Sequence, residues 1–567
     1  MQKRESEKSL TKLLNFGMFF TTVFIISGSV TDPVNVPKLL VLGIFGSSAF
    51  ALLMFTDLKN RLRTQIPLVA TSILFIIAMF SAVIFSKSPI SQNVYGSFGR
   101  NNGLLCYLFL NFLLLAYAST RSSKGFQNLI KALIVAGGVN LAYCAWVIAF
   151  GDFVGWFNPY RGILGTFGNP NFIGAYLGIF FGVCIAIASS PGASTKFRIS
   201  MILVLPLTFF EILKSHAVQG RVVAALGLGI VGFFLVRAHA NRYWLIAYSF
   251  LSISIGSLAL TGALQHGPLV KYIYKTSVSL RGQYWLAAWN TGSSNPFTGV
   301  GMDSFGDWYR RSRDIRAITL PGVNTTVNTA HNVWMDMFAF GGWPLLFSYL
   351  LIIALTTISI IKVLKRSKKY DSIFVALTTS WVGYQVQSLI SINQIGLAIW
   401  GWALSGALIA FEISSREVVG ELNPIQNSKG RPSAAVRGSQ QTVGVLAATG
   451  GAMIGLLIVL PPFTGDTKLR SAQLSNTLPA LEKTMEISYF NPATTNKYLN
   501  NIQALEVNNL FDLSHKYAKS AIEWNPESFE LWKAFYSVRN STPQEKATAL
   551  RNMKRLDPLN PDVTSTK

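Results

Sequence analysis

The sequence predicts an all-α protein: a polytopic membrane helical bundle followed by a small α-helical domain. Half of the 567 residues are hydrophobic, only 13% are charged, and the mean hydropathy is +0.38. An average soluble domain has about 25% charged residues, so this chain lacks the charged surface that several soluble domains would need. Its apolar residues fall instead into separate runs of about 17–25 residues, each long enough to cross a bilayer as a helix.

The bundle is predicted to contain about thirteen spans, counted from runs of membrane-crossing length. The first run follows a basic segment, lacks a small-residue cleavage site and precedes further runs, so we interpret it as an uncleaved helix. The predicted spans are residues 13–30, 37–55, 66–86, 103–119, 126–150, 172–189, 199–213, 221–236, 243–261, 332–361, 373–391, 395–413 and 443–463. Residues 1–463 therefore form the predicted membrane domain.

The basic residues predict the orientation of the bundle. Lys and Arg number 49 against 25 Asp and Glu, and many of them cluster in alternate connections. Cytoplasmic connections of membrane proteins are enriched in these residues. They include Lys59, Arg61, Arg63, Arg121, Lys124, Lys196, Arg198, Arg237, Arg242, Lys362, Lys365 and Arg366. The N-terminus is therefore predicted to be cytoplasmic and the C-terminal tail extracytoplasmic, and the net charge of +24 reflects topology rather than nucleic-acid binding.

Three longer segments are predicted on the outer side, at residues 86–102, 151–171 and 262–330. The last contains seven basic residues, against the usual inward bias: Lys271, Lys275, Arg281, Arg310, Arg311, Arg313 and Arg316. A loop of that length translocates despite its charge. Its basic residues have two interpretations, a solvated basic face or a surface that binds an anionic substrate. An outward-facing cavity is expected beneath this loop.

The tail, residues 464–567, is polar and helical in pattern. Asn-Pro dipeptides begin at Asn491, Asn525 and Asn560, at spacings of roughly 34 and 35 residues, the period of tetratricopeptide helix pairs. Small residues such as Ala518 and Ala521 stand where paired helices would approach closely. We expect a small helical-repeat domain that could bind a protein partner; an irregular helical tail is the alternative.

Sequence motifs for several common chemistries are missing. The chain has no Gly-rich phosphate loop, no His-Glu-x-x-His, no Gly-x-Ser-x-Gly and no metal-holding Asp-x-Asp pair. We therefore expect no cofactor and no metal, and any phosphate must be bound by Arg or Lys. Cys106, Cys144 and Cys184 lie within apolar runs, which indicates core residues rather than disulfides or a zinc site.

Three short blocks on the predicted outer side resemble the O-antigen ligase and polymerase superfamily of membrane glycosyltransferases. Residues 161–171 read RGILGTFGNPN directly before a span. Residues 281–285 read RGQYW and are followed by PFTGVG at 296–301. Residues 330–332 read AHN, before a span that contains GWP at 342–344. Their order and the surrounding helices resemble the superfamily over most of residues 13–463, and they imply the GT-C-like fold class.

The resemblance implies a reaction and its residues. Superfamily members transfer a glycan from a polyprenyl-diphosphate carrier to an acceptor hydroxyl, outside the cytoplasmic membrane and without a nucleotide sugar. Arg161, Arg221 and Arg281 correspond to arginines that would bind the diphosphate, and His331 to the histidine that would assist the acceptor. At Arg221 this chain reads QGR where the superfamily usually has SRG, and Phe340 stands where a Glu is often found.

Several alternatives remain open at this stage. Trp285, within the Arg281 block, is the best candidate among the outer aromatic residues for stacking on a sugar ring; the others have the composition of an interfacial belt. The acceptor is a lipid, another glycan or a protein hydroxyl. A transporter or lipid-glycan flippase is the second function considered, and a non-catalytic scaffold is the third. A transporter should show related halves, and the sequence has no convincing inverted repeat. A scaffold does not explain Arg281 and His331.

Overall fold

A computed structural model describes residues 2–156, 158–419, 434–485 and 494–565. Within these ranges all regular structure is helical. Residues 262–330, the longest segment predicted on the outer side, are called the outer segment below. The helices before it are α1 (Gln2–Val23), α2 (Asn35–Met54), α3 (Lys59–Leu62), α4 (Ile66–Ile84), α5 (Ile90–Tyr95), α6 (Leu104–Ala118), α7 (Ser123–Phe150), α8 (Pro170–Ala188), α9 (Thr195–Lys214), α10 (Val218–His239) and α11 (Arg242–Ala263). A 3₁₀ turn, Gly165–Phe167, precedes α8.

The outer segment and the second part of the bundle follow. The outer segment contains α12 (Val270–Ile273), α13 (Thr276–Ser294), α14 (Phe305–Ser312) and a 3₁₀ turn, Ile315–Ile318. The bundle resumes with α15 (Val333–Arg366), α16 (Ser372–Ser388), α17 (Ile395–Val419) and α18 (Ala434–Ser475). Helix α18 continues past the predicted domain boundary at residue 463.

Nine helices of the described ranges are long and apolar enough to cross a membrane: α2, α4, α7, α8, α10, α11, α15, α17 and α18. These helices are compatible with a multi-pass membrane protein. The other four predicted spans coincide with α1, α6, α9 and α16, which are shorter or less apolar. The three cysteines are buried and unpaired, as predicted.

The connections between helices gather at two opposite ends of the bundle. At one end, the Glu7 carboxylate accepts from the backbone N–H of Arg121 and lies 2.9 Å from the Arg61 guanidinium. At the other, the Asn35 side chain donates to the Gly99 carbonyl at 2.8 Å, and the Ser27 hydroxyl donates to the Val154 carbonyl at 2.7 Å. These contacts place the connections at two ends of the bundle, and the side of the membrane that each end faces stays a prediction.

Burial separates central helices from peripheral ones. In the apolar 18-residue stretch of α17, 94% of the residues are buried, whereas 6% are buried in the corresponding stretch of α11. Because α11 is apolar on nearly every exposed side, it has the surface expected of a helix that faces lipid. The core lies around α8 and α17.

A kink in α15 explains the glycines of two sequence motifs, PFTGVG at 296–301 and GWP at 342–344. Gly342 has φ +63°, and Pro344 has no N–H to donate to the Phe340 carbonyl. That carbonyl accepts instead from Gly301 N at 3.0 Å, and the Trp343 N–H donates to the Pro296 carbonyl at 2.8 Å. The 296–301 motif thus satisfies the backbone groups that the kink leaves free.

Substitution of Gly299 by alanine is expected to destabilise the protein by about 2–4 kcal/mol. Gly299 has φ +61°, and a Cβ there would lie 2.3 Å from the Gly341 nitrogen and the Phe340 carbonyl carbon. Neither backbone atom can move without opening the kink. Thermal unfolding in detergent measures the effect. Gly138→Ala is the control, because nothing lies within 4 Å of a Cβ there; equal melting temperatures for the two variants would contradict the prediction.

The tail forms helix pairs with their own core. Its helices are α19 (Leu478–Met485), α20 (Thr494–Val507), α21 (Phe511–Trp524), α22 (Phe529–Ser537), α23 (Pro543–Leu556) and α24 (Pro561–Thr564). Apolar residues of these helices, including Ala518 and Ala521, pack together. Asn525 and Asn560 follow the second helix of successive pairs, while Asn491 and Pro492 lie outside the described residues. The described part of the tail is therefore helical with a core of its own, and its assignment as a tetratricopeptide-like repeat stays a prediction.

Three of the basic residues of the outer segment face neither solvent nor an open surface, which corrects both interpretations of them. Arg310 contacts Glu530 and Asp557, Arg311 contacts Glu527, and Arg313 contacts Asp557. All the carboxylates belong to the tail, so α14 docks onto the tail through ion pairs. Arg316 is different, because it is exposed and pairs with Asp314 of its own segment.

Candidate functional site

Charged side chains meet at the end of the bundle that carries the outer segment. His331 precedes α15, Arg281 lies on α13, and Arg100 lies in the connection between α5 and α6. Both guanidinium groups act electrostatically on the His331 ring. Arg281 and Arg100 thus lie within electrostatic range of His331, while the roles predicted for Arg281 and His331 stay predictions. Sequence reasoning missed Arg100, although it lies within the predicted outer segment 86–102.

The His331 ring is oriented by its own turn. Its Nδ1 lies 3.3 Å from the Thr329 carbonyl oxygen. Since a carbonyl only accepts hydrogen bonds, this contact favours the tautomer with hydrogen on Nδ1 and leaves the Nε2 lone pair available. The backbone of His331 has φ +55°, the left-handed region. Such strained conformations are often associated with functional sites.

An acidic side chain holds this turn but does not touch the ring. The Asp336 carboxylate accepts from the Ala330 N–H at 2.7 Å. Phe340 is buried and packs in the core. The Thr329 carbonyl, rather than a carboxylate, is therefore the ring's partner.

The environment keeps His331 neutral. Burial lowers the pKa of His331 to about 4, the positive charges of Arg100 and Arg281 contribute to that shift, and the Thr329 carbonyl opposes it. The ring of Tyr284 lies 5.5 Å from the imidazole, centroid to centroid. A neutral imidazole offers its Nε2 lone pair to a hydroxyl proton, and the lowered pKa makes His331 a weaker base than an ordinary histidine.

Arg100 and Arg281 are available to bind an anion. Among the described residues, neither side chain makes a hydrogen bond or an ion pair. Burial lowers the pKa of both guanidinium groups from their ordinary value, but an arginine remains charged at neutral pH. The carboxylates of Asp303, Asp336 and Asp32 act electrostatically on Arg100, although none of them makes a hydrogen bond to it. A guanidinium group without a hydrogen-bonded partner can donate to phosphate oxygens.

Asp303 positions the connection that carries Arg100. Its carboxylate accepts from the Ser97 N–H at 2.8 Å, from the Ser97 hydroxyl at 3.0 Å and from the Asn102 N–H at 3.3 Å. Burial raises the pKa of Asp303 to about 6, while these hydrogen bonds and Arg100 oppose the shift. The hydrogen bonds of Asp303 thus go to the turn on either side of Arg100.

The remaining predicted residues lie farther from this cluster. Arg161, in the connection between α7 and α8, and Arg221, in the first turn of α10, are both exposed. Tyr160, next to Arg161, acts electrostatically on Arg100, which links that connection to the cluster. Trp285 is half-buried and packs against the core, and its indole N–H has no hydrogen-bond partner among the described residues. A role for Trp285 in sugar binding stays a prediction.

The cluster can bind a multiply charged anion beside a proton acceptor. Two arginines offer paired N–H donors, and the imidazole offers one lone pair. No family model and no curated protein matches this chain.

If His331 is the base, its low pKa should appear in the pH dependence of the reaction. The acid limb of the kcat/KM profile is expected near pH 4 rather than 6.5, because kcat/KM reports the free enzyme. Arg100→Gln removes a positive neighbour, so the pKa of His331 should rise and the limb should move to higher pH. Arg316→Gln, at an exposed position of the outer segment, should leave the limb unchanged. An acid limb near pH 6.5 in the wild-type protein would contradict the prediction that the base is a histidine with a lowered pKa.

Proposed function

We propose that this protein transfers a glycan from a polyprenyl-diphosphate carrier to an acceptor hydroxyl, by the chemistry of the O-antigen ligase and polymerase superfamily. The observation that carries the proposal is the pair of unpartnered arginines, Arg100 and Arg281, beside the neutral His331. Diphosphate needs fixed positive charge, and an acceptor hydroxyl needs a proton acceptor. The three motif blocks of the sequence support the same reaction.

The proposed reaction is a direct displacement that inverts the anomeric carbon. The acceptor oxygen forms the new bond to that carbon, and the bond from the carbon to the phosphate oxygen breaks. His331 Nε2 takes the hydroxyl proton, while Arg281 and Arg100 stabilise the charge that develops on the departing diphosphate. Arg161 and Arg221 are proposed to bind the carrier as it approaches. No metal is required in this scheme.

The proposed location is the outer face of the cytoplasmic membrane. A cytoplasmic N-terminus and an odd number of spans put the tail and the cluster outside, consistent with the basic residues of the opposite connections. There a lipid-linked donor reaches the site laterally from the bilayer. The donor is thus a membrane lipid, and the acceptor is a lipid, a glycan or a protein hydroxyl that meets the same face.

Reconstitution tests the proposal. The purified protein is placed in liposomes with a polyprenyl-diphosphate glycan and candidate acceptors, and glycan on the acceptor is measured alongside movement of the donor between leaflets. Transfer that survives EDTA is the expected result. Movement without transfer would support the flippase alternative, and activity lost in EDTA and restored by Mg²⁺ or Mn²⁺ would contradict the metal-free reaction.

A further inference from the structure

We propose that the C-terminal tail positions the transfer site, and that Asp557 does so by holding the segment that ends in His331. This inference rests on the function proposed above. It assigns a role to a carboxylate that touches no substrate and belongs to a different part of the chain.

The first step is the contact between the tail and α14. Asp557 is fully buried at the end of α23 and receives two guanidinium groups, Arg310 at 2.9 Å and Arg313 at 2.7 Å. The Asn560 side chain donates to the same carboxylate at 3.1 Å. Buried charges are stable only when they are paired and hydrogen-bonded. The docked arrangement therefore depends on Asp557.

The second step leads from the arginines to the histidine. Arg310 and Arg313 both donate to the Val323 carbonyl, at 3.2 and 2.9 Å. Val323 begins the stretch that reaches Thr329 and His331. The same stretch packs closely on α14, since a Cβ at Gly306 would lie 3.2 Å from the Asn328 Cα. Asp557 thus fixes the two arginines that anchor the start of this stretch.

The third step reaches the connection that carries Arg100. On α14, the Asp307 carboxylate accepts from Asn525 of the tail at 3.3 Å, from Gln92 at 3.1 Å and from Ser88 at 3.2 Å. Asp303, directly before α14, accepts from Ser97. One helix therefore joins the tail to both segments that form the site. Movement of α14 would alter the placement of Arg100 and His331 together.

The test uses the full-length protein in liposomes and the Asp557→Asn variant. Asp512→Asn is the matched control, because Asp512 is an exposed tail carboxylate that bonds only to Asn540 among the described residues. Hydrogen–deuterium exchange of residues 321–331 and 96–103 is followed by mass spectrometry, and kcat/KM is measured against pH. Should Asp557→Asn fail to fold, Arg313→Lys provides a milder variant. Lysine keeps the positive charge, but its single nitrogen replaces the two guanidinium nitrogens that bond to Val323 and to Asp557.

In the Asp557 variant, exchange in both stretches should rise at least tenfold, with no change in the control. The acid limb of kcat/KM should move from about pH 4 toward 6.5, because His331 would gain water and move away from Arg100 and Arg281. The other titratable groups beside it are Tyr284 of α13 and Asp336, which holds the His331 turn. The proposal would be overturned if the variant lost activity only in proportion to the loss of folded protein, while hydrogen–deuterium exchange in both stretches and the acid limb of kcat/KM stayed unchanged. Exchange is measured without substrate, so it decides on positioning even if the wild-type protein transfers no glycan.

Discussion

Replacement of His331 by alanine should lower the rate of glycan transfer by about 10²–10⁴-fold, the usual effect of removing a positioned base. The imidazole is neutral beside two arginines, and its Nδ1 is held by the Thr329 carbonyl. Alanine removes the Nε2 lone pair but leaves the two guanidinium groups in place. Donor binding, measured as retention of labelled carrier on the detergent-solubilised protein, should therefore change little.

The control for this variant is His216→Ala. His216 is exposed, lies at the same end of the bundle and has φ +58°, so it shares the backbone conformation without sharing the site. It should transfer glycan at the wild-type rate. Undiminished transfer by the His331 variant would show that His331 is not the base. The arginines would then have to account for the rate by binding and orienting the donor alone.

Arg281→Lys should also impair transfer severely, on the order of 10²-fold, although the positive charge is kept. A guanidinium offers planar paired donors to two phosphate oxygens, whereas an ammonium is a single point charge on a flexible stem. Arg281 makes no hydrogen bond to a described protein group, so its donors are free for the donor lipid. We expect the same direction of effect for Arg100→Lys.

Arg316→Lys provides the comparison for Arg281→Lys. Its side chain is 71% exposed and pairs with Asp314 of the same segment, so the exchange should leave transfer unchanged. Rates are compared at matched protein level in the reconstituted system. Wild-type transfer by the Arg281→Lys enzyme would reject Arg281 as the main diphosphate ligand.

The helical class was predictable from the sequence because it depends on local pattern. Each predicted span overlaps a helix, since a run of apolar residues has few ways to satisfy its backbone within a membrane. The basic residues predict which end of the bundle is cytoplasmic, and that orientation stays a prediction. The exact ends of helices were not predictable: α18 continues to Ser475 through Pro461 and Pro462, beyond the last strongly apolar residues.

The site was predictable only in part. Arg281 and His331 stand in short motifs, and the structure brings their side chains together. Arg100 stands in no motif, and its importance depends on Asp303, some two hundred residues away, which bonds to the turn on either side of it. Such a contact leaves no local signal in one sequence, because it depends on how distant segments pack.

By itself, the sequence determined a helical chain that contains several helices of membrane length and a polar helical tail. Hydrophobic run length and charge placement act residue by residue and require no partner. Only the tertiary structure decided which arginines are free. Arg281 and Arg100 face no protein hydrogen-bond acceptor in the described ranges, whereas Arg310 and Arg313 are bound by Asp557. These residues are chemically identical, and direct ion pairs to carboxylates, which only folding creates, distinguish the arginines that dock the tail from those proposed to bind an anion.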